Sequence, residues 1–433
     1  MRLYALIIAA SVVGCGDNSD PGPAREKPSA PTSNDPSFQI ASLKHWYLIG
    51  DGVTPGDDTV QLAITPPAEA KVVDAWIGSL EPVRMQLQDG QLVAEVSIAD
   101  LGPGTYSIVF SANGSDQGFA AASFQRSSPY YVLVSTDWDF SDPGDASLTY
   151  IKDLHLGHPA IRMTDFIGPY LFTDPANTDA RKQELATWIA NERDTYGVEI
   201  GLHIHPYCNF VEDAGVTCIT DVSTVYPAGD PSGYTIEVSA YSRTDFETLL
   251  QHASDLFFAN GLGRPTSFRA GGWTADLDTL LALIDKGFHA DSSAMNWARL
   301  YTAWKGYVLY DWNMAHWTPI DDTSQPYTPS MMQVLPGGPM PLMPLLEVPD
   351  NGVMIDYASL ADMTTIFDEN WQQHGPLARP TTLMMGFHPA VQFSYTEYRT
   401  VYDFLTYADQ FLASDDNGPV VYTTLGALEP AFQ

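Results

Sequence analysis

From about residue 129, apolar runs of strand length alternate with stretches of helical period. The apolar runs are YYVLVS, PAIRM, VEIGL, PTSF, GFHA, PLLEV, TLMMGF and VVYTT. Between them, one helix is predicted from Thr178-Asp179, with Leu185, Trp188 and Ile189 on one face. A second starts at Thr244, where Glu247 completes a capping box. Its Phe246, Leu249, Leu250, Ala253, Leu256 and Phe257 recur at helical spacing, and Gly261 closes it. A third runs from about Ala275 to Lys286 and stops at Gly287. Others are expected over 358–373 and 395–413. Such alternation implies parallel strands joined by crossover helices. The fold class is therefore α/β: a distorted (β/α) barrel of seven or eight strands over 128–433. Residues 296–343, rich in Trp, Tyr, Pro and Met, are too long for a simple connection and predict an insertion over the barrel mouth.

The chain before this has a different rhythm. Over 37–127, alternating segments such as TVQLAI, RMQLQ, LVAEVSI and TYSIVFSA are separated by the turn signals DGVTPGDD, QDGQ, LGPG and ANGSDQG. They predict a small all-β, immunoglobulin-like sandwich without its inter-sheet disulfide, a spacer or a glycan-contacting module. Residues 16–36 are polar and rich in Pro, Gly and Ser, and read as a tether. In 1–15, one Arg precedes an apolar run too short for a mature membrane span. That run ends Val12-Val13-Gly14-Cys15, which resembles the lipobox of bacterial lipoproteins, whose Cys is lipidated. The resemblance implies an exported lipoprotein, periplasmic or on the cell surface, held to the membrane only by lipid on Cys15.

Composition narrows the partners. Among 433 residues, 20 Lys and Arg face 53 Asp and Glu, a formal charge of −33. Such a chain cannot replace the counterions of a phosphate backbone, so nucleic acid is excluded as a partner. Oligomeric state is left open. Besides Cys15, the chain holds Cys208 and Cys218, on either side of the polar NFVEDAGVT, and an exported even pair predicts a disulfide.

Candidate chemistry gathers where the predicted strands end, the face on which such barrels carry their sites. The first run ends in Thr136-Asp137-Trp138-Asp139, the second in Thr164-Asp165 and the third in His203-Ile204-His205. The fourth gives Arg269 in FRAGGW, the fifth Asp291 in DSS and the seventh His388 in GFH. Residues i and i+2 of a strand share a face, with Cα atoms roughly 6.5–7 Å apart. His203 and His205 can thus converge on one ion, and Asp137 and Asp139 also share a side. Two imidazoles and a carboxylate suit zinc or a similar divalent cation. One aspartate holding the cation leaves the other as base. Arg269 is placed to keep that base ionised, His388 to donate a proton, and Asp291 to position His388 or raise its pKa.

These motifs, in this order, resemble those of the polysaccharide deacetylases of the NodB-homology type, carbohydrate esterase family four. The resemblance covers about 130–430. It implies a zinc-dependent hydrolase that removes N- or O-linked acetyl groups from an extracytoplasmic polysaccharide. TDWD then carries the base to Asp137 and metal binding to Asp139. HIH supplies the metal ligands His203 and His205. Arg269 orients the base, Asp291 tunes the acid and His388 is the acid. Three departures stand out: Trp138 separates the aspartates, Tyr207 replaces a histidine so that His205 substitutes, and no Pro-Tyr follows Arg269. Two other readings compete: a glycan-binding barrel without catalysis, and a glycoside hydrolase using Asp137 with Asp165.

Overall fold

The structure, a computed structural model, describes residues 28, 38, 40–65, 68–114, 119–224, 230–389 and 393–432. The signal segment 1–15 with Cys15, and the tether apart from residue 28, lie outside the described residues. The chain separates into two compact units.

The first unit takes in Leu62–Ala94 and Ser107–Ala122, with the described residues before Ser42. It is all-β. Val73–Ile77 pairs antiparallel with residues 108–112 and with Val83–Arg84, and Gln86–Gln88 pairs antiparallel with 91–93. Val73, Ala75, Ile77, Ile108 and Phe110 are buried.

The second unit comprises Ser42–Gln61, Glu95–Tyr106 and Ser123–Gln433. Its main sheet has eight strands: β1 (Tyr130–Asp137), β2 (Met163–Ile167), β3 (Glu199–Ile204), β4 (Ser267–Ala270), β5 (Ala290–Asp291), β6 (Leu346–Glu347), β7 (Thr381–Phe387) and β8 (Val420–Tyr422). Their order is β6-β5-β4-β3-β2-β1-β7, with β8 also pairing β1, and every ladder is parallel. Every residue of β1 and β7 is buried. That explains their unbroken apolar runs, since a parallel sheet is covered on both faces. Between β6 and β7 the ladder is replaced by bridges. Asp350 still pairs with Met295 beyond β5, while Met354 pairs with Gly386 of β7 and Ile355 N–H donates to the Gly386 carbonyl at 2.9 Å. This is the distortion of the barrel, and it draws 350–356 to the C-terminal rim of the strands.

Helices α1 (Asp145–Gly157), α2 (Asp179–Tyr196), α3 (Arg243–Ala259), α4 (Leu277–Asp285), α5 (Val308–Trp317), α6 (Leu360–Asn370) and α7 (Tyr395–Ala408) join or follow the strands. The cap of α2 is Thr178, and its stop is Gly197 in the left-handed region. For α3 the cap is Ser242 rather than Thr244: its Oγ accepts the Asp245 N–H at 3.2 Å and donates to Asp245 Oδ2 at 2.7 Å. Ser359 and Ser394 form capping boxes on α6 and α7. Several helices have no matching expectation, α5 within the insertion among them. Helix α1 starts after Gly144 with no side-chain cap, and Cys208–Asp213, expected as loop, is a short helix. Among the described residues, no helix is long and apolar enough to cross a membrane.

Candidate active site

A cavity of about 260 Å³ opens at the C-terminal rim of the barrel strands. Asp137, Asp139, His203, His205 and His388 line its polar end. Trp273, Tyr357 and, from the insertion, Trp304 and Leu309 line its apolar wall.

Trp138 explains how TDWD works despite its spacer. Its ring is buried against Trp188 of α2, and the Trp138 backbone N–H donates to the Phe166 carbonyl at 3.0 Å. The tryptophan anchors the strand end in the core while its two neighbours face the cavity. Asp137 Oδ1 accepts from Arg269 Nη1 at 2.9 Å, and its Oδ2 is buried with no hydrogen-bond partner. Arg269 is fixed on all sides. Nη1 also donates to Ser135 Oγ (2.9 Å), Nη2 to Ser292 Oγ (2.9 Å) and Nε to the Ser292 carbonyl (3.1 Å), and Phe166 stacks on the guanidinium.

Asp139, His203 and His205 each offer a ligand atom, all within 4.8 Å of one another. His203 Nδ1 lies 3.0 Å from the Arg269 carbonyl, and His205 Nδ1 3.0 Å from the Tyr234 carbonyl. A carbonyl only accepts, so both Nδ1 atoms carry the hydrogen. Each Nε2 then aims at Asp139 Oδ1, at 3.1 and 3.3 Å. Three electron-rich atoms thus converge on one point, an arrangement relieved only by a proton or a cation. The backbone-anchored Nδ1–H is how metal-ligating histidines are oriented. The donor set fits a divalent cation, and His205 Nε2 is buried without a hydrogen-bond partner. Burial opposes charge on Asp139, yet His205, His388 and His203 together hold it well below the usual carboxylate range. Gly271 completes the approach: a Cβ there would lie 2.6 Å from the Ile204 carbonyl and 2.7 Å from the His205 ring.

His388 places Nε2 3.7 Å from Asp139 Oδ1, and its Nδ1 lies 2.6 Å from Asp356 Oδ2. Burial lowers its pKa, but Asp139, Asp356 and Asp137 outweigh this and push it up to about 10. A cation on Asp139 would cancel that residue's share and leave Asp356 as the main support.

Asp291 does not take the place expected for it. It lies behind Arg269, accepts from Ser293 Oγ at 2.8 Å and shares its surroundings with Glu347, which accepts the Ala294 N–H. Burial raises both carboxyls, Glu347 far above its ordinary range, so a proton stays on this pair. The carboxylate at His388 is Asp356. No sequence period marks it, because it sits in the irregular segment that bridges β6 to β7. Tyr234 was equally hidden, in a polar connection. Asp165 lies on the opposite face of β2 from Phe166, where it adds to the burial that raises Glu192 of α2, and does not line the cavity. A glycosidase pair with Asp137 is therefore not assembled. Cys208 and Cys218 are joined in a disulfide.

No family model matches the chain, and no match was found among curated proteins. Solved structures similar to it include a Mycobacterium smegmatis protein described as a polysaccharide deacetylase (13% identity, TM-score 0.40, 68% of this chain and 87% of that one). A family 4 carbohydrate esterase from Streptomyces lividans, in complex with acetate, is 7% identical (TM-score 0.35, 71% and 98%). So is a 4-alpha-glucanotransferase from Thermococcus litoralis (TM-score 0.41, 70% and 40%).

Proposed function

We propose that the chain is a divalent-cation-dependent hydrolase that removes acetyl groups, N- or O-linked, from a polysaccharide, with zinc the favoured cation. One observation carries the cation site: two buried imidazoles, with Nδ1–H fixed on backbone carbonyls, turn their Nε2 atoms on the same oxygen of Asp139. The acetylated glycan comes from the motif resemblance, which the cavity accommodates with an ionic end for chemistry and an aromatic wall for a sugar face.

Asp139, His203 and His205 would hold the cation, which supplies Lewis acidity, polarising an acyl carbonyl and acidifying water. The other roles fall to this chain's own groups. Asp137 Oδ2, unpartnered in the cavity wall, takes the proton of the attacking water, while Arg269 fixes Oδ1. His388 presents Nε2 to the cavity and gives its proton to the departing sugar nitrogen or oxygen. Asp356 holds its Nδ1 and keeps it a cationic donor. The acyl carbon gains the water oxygen and loses the sugar, releasing acetate. In the cell we place the enzyme outside the cytoplasm, anchored through lipid on Cys15.

The test is acetate release from a panel of acetylated oligosaccharides, with chelator, and with zinc restored. Chelation is expected to stop release and zinc to return it. Asp137→Asn is expected to lower the rate by about 10²–10⁴-fold, the usual worth of a general base, while retaining the cation. Stoichiometric cation binding with no acetate from any substrate would replace this reading with that of a glycan-binding barrel.

A further inference from the structure

Asp139 and His205 leave different strand ends, yet one side chain outside the sheet engages both. Tyr234 lies between the Cys208–Asp213 helix and α3. Its hydroxyl donates to Asp139 Oδ2 at 2.8 Å. Its carbonyl accepts the His205 Nδ1–H at 3.0 Å, and its ring packs on the imidazole with centroids 4.5 Å apart. We propose that Tyr234 is the positioning residue of the cation site: it occupies Asp139 Oδ2, leaving Oδ1 as the single carboxylate donor, and it aims His205 Nε2 at the same point. This rests on the cation-site reading above.

The chemistry favours this division of the carboxylate. A carboxylate with both oxygens free can chelate through either or both. With one oxygen already bonded to a phenol, it presents a single donor in a fixed direction, which suits a small tetrahedral ion with one position left open.

The backbone around Tyr234 is fastened to the chain just beyond His205. Ser232 carbonyl accepts the Cys208 N–H at 2.8 Å. Gly233 has φ +80°, where a Cβ would lie 2.4 Å from the Pro206 carbonyl and 3.1 Å from Cys208 N, so only glycine permits the contact. Asp230 Oδ2 accepts the Thr235 N–H at 2.9 Å. Cys208, on which this turn rests, is cross-linked to Cys218. The disulfide thus supports the seat of Tyr234, and the cation affinity is tied to the oxidation of that pair.

The experiment titrates Co²⁺ into the full chain and follows visible absorption, which reports both affinity and ligand geometry without turnover. Tyr234→Phe is expected to weaken binding about 10–100-fold and alter the band intensity, as loss of an outer partner does. Tyr207→Phe is the control. It deletes a neighbouring phenol that, among the described residues, donates only to the Asp139 backbone carbonyl, at 3.1 Å. It is expected to stay within about threefold, short of the effect of an outer partner. Wild-type affinity in Tyr234→Phe, or equal loss in both variants, overturns the assignment. Should Tyr234→Phe fail to fold, a Cys208→Ser, Cys218→Ser double variant decides: weaker Co²⁺ binding upholds the tied seat, and unchanged binding overturns it. A wild-type chain that binds no Co²⁺, and so matches His203→Ala, brings down the cation site itself, a separate result.

Discussion

The barrel rim and the layer behind it handle buried carboxyl groups in opposite ways. At the rim, Asp137 has a guanidinium at 2.9 Å and Asp139 has three imidazoles within 3.7 Å. Behind Arg269, Asp291 and Glu347 face each other with hydroxyl and amide donors and no cation of their own, and Asp350 stands 3.6 Å from Arg269 Nη2. The residue types are the same and all sit near strand ends. Neighbouring groups decide their states: the imidazoles around Asp139 hold it well below the usual carboxylate range, while burial raises Asp350 to about 7 and keeps a proton on the Asp291–Glu347 pair. Position at a strand end therefore does not by itself set the charge of a buried carboxyl.

Removing the cation from the rim should break this contrast most severely. Arg269→Met leaves Asp137 buried and unpaired, at a cost of about 3–5 kcal/mol in stability, read as a fall in denaturant midpoint. The loss should be smaller at pH 5 than at pH 8, because protonation relieves an unpaired buried carboxylate, and acetate release should fall with it. Equal stability of variant and wild type at pH 8 would remove the distinction drawn here.

A milder change weakens one arm of the rim. In Asp356→Asn, His388 loses a carboxylate that raises its pKa. The alkaline limb of the kcat profile should move to lower pH, with a rate loss of about tenfold, below the full worth of a general acid. An unmoved limb would show that His388 does not depend on Asp356.

The layer behind should respond least. Glu347→Gln fixes as permanent the neutral state that Glu347 already holds, so stability at pH 7 should change by about 1 kcal/mol or less. The sign of the pH effect follows from the raised carboxyls. Folded-state pKa values above those of the unfolded chain give stability that is complete below the ordinary carboxylate range. That stability is lost as pH climbs through about 6 for Asp291 and higher for Glu347. Melting curves across that window should be flatter for the variant than for the wild type.

The chain's own pattern determined the parallel α/β sheet, helices α2, α3, α4, α6 and α7, and the strand-end set Asp137, Asp139, His203, His205, Arg269 and His388. Each of those residues follows an apolar run whose period of two dictates which side chains share a face, so local sequence is enough to bring them to one rim. Tertiary structure alone decided what surrounds them. Asp356 reaches His388 through a bridge between Met354 and Gly386, and Tyr234 reaches Asp139 and His205 from a turn seated on a disulfide. Asp291, equally well placed in sequence, turns instead to Glu347. These partners are set by irregular backbone and by contacts distant along the chain. Neither leaves a period to read, and the charge state of a buried carboxyl depends on which cation the fold brings beside it.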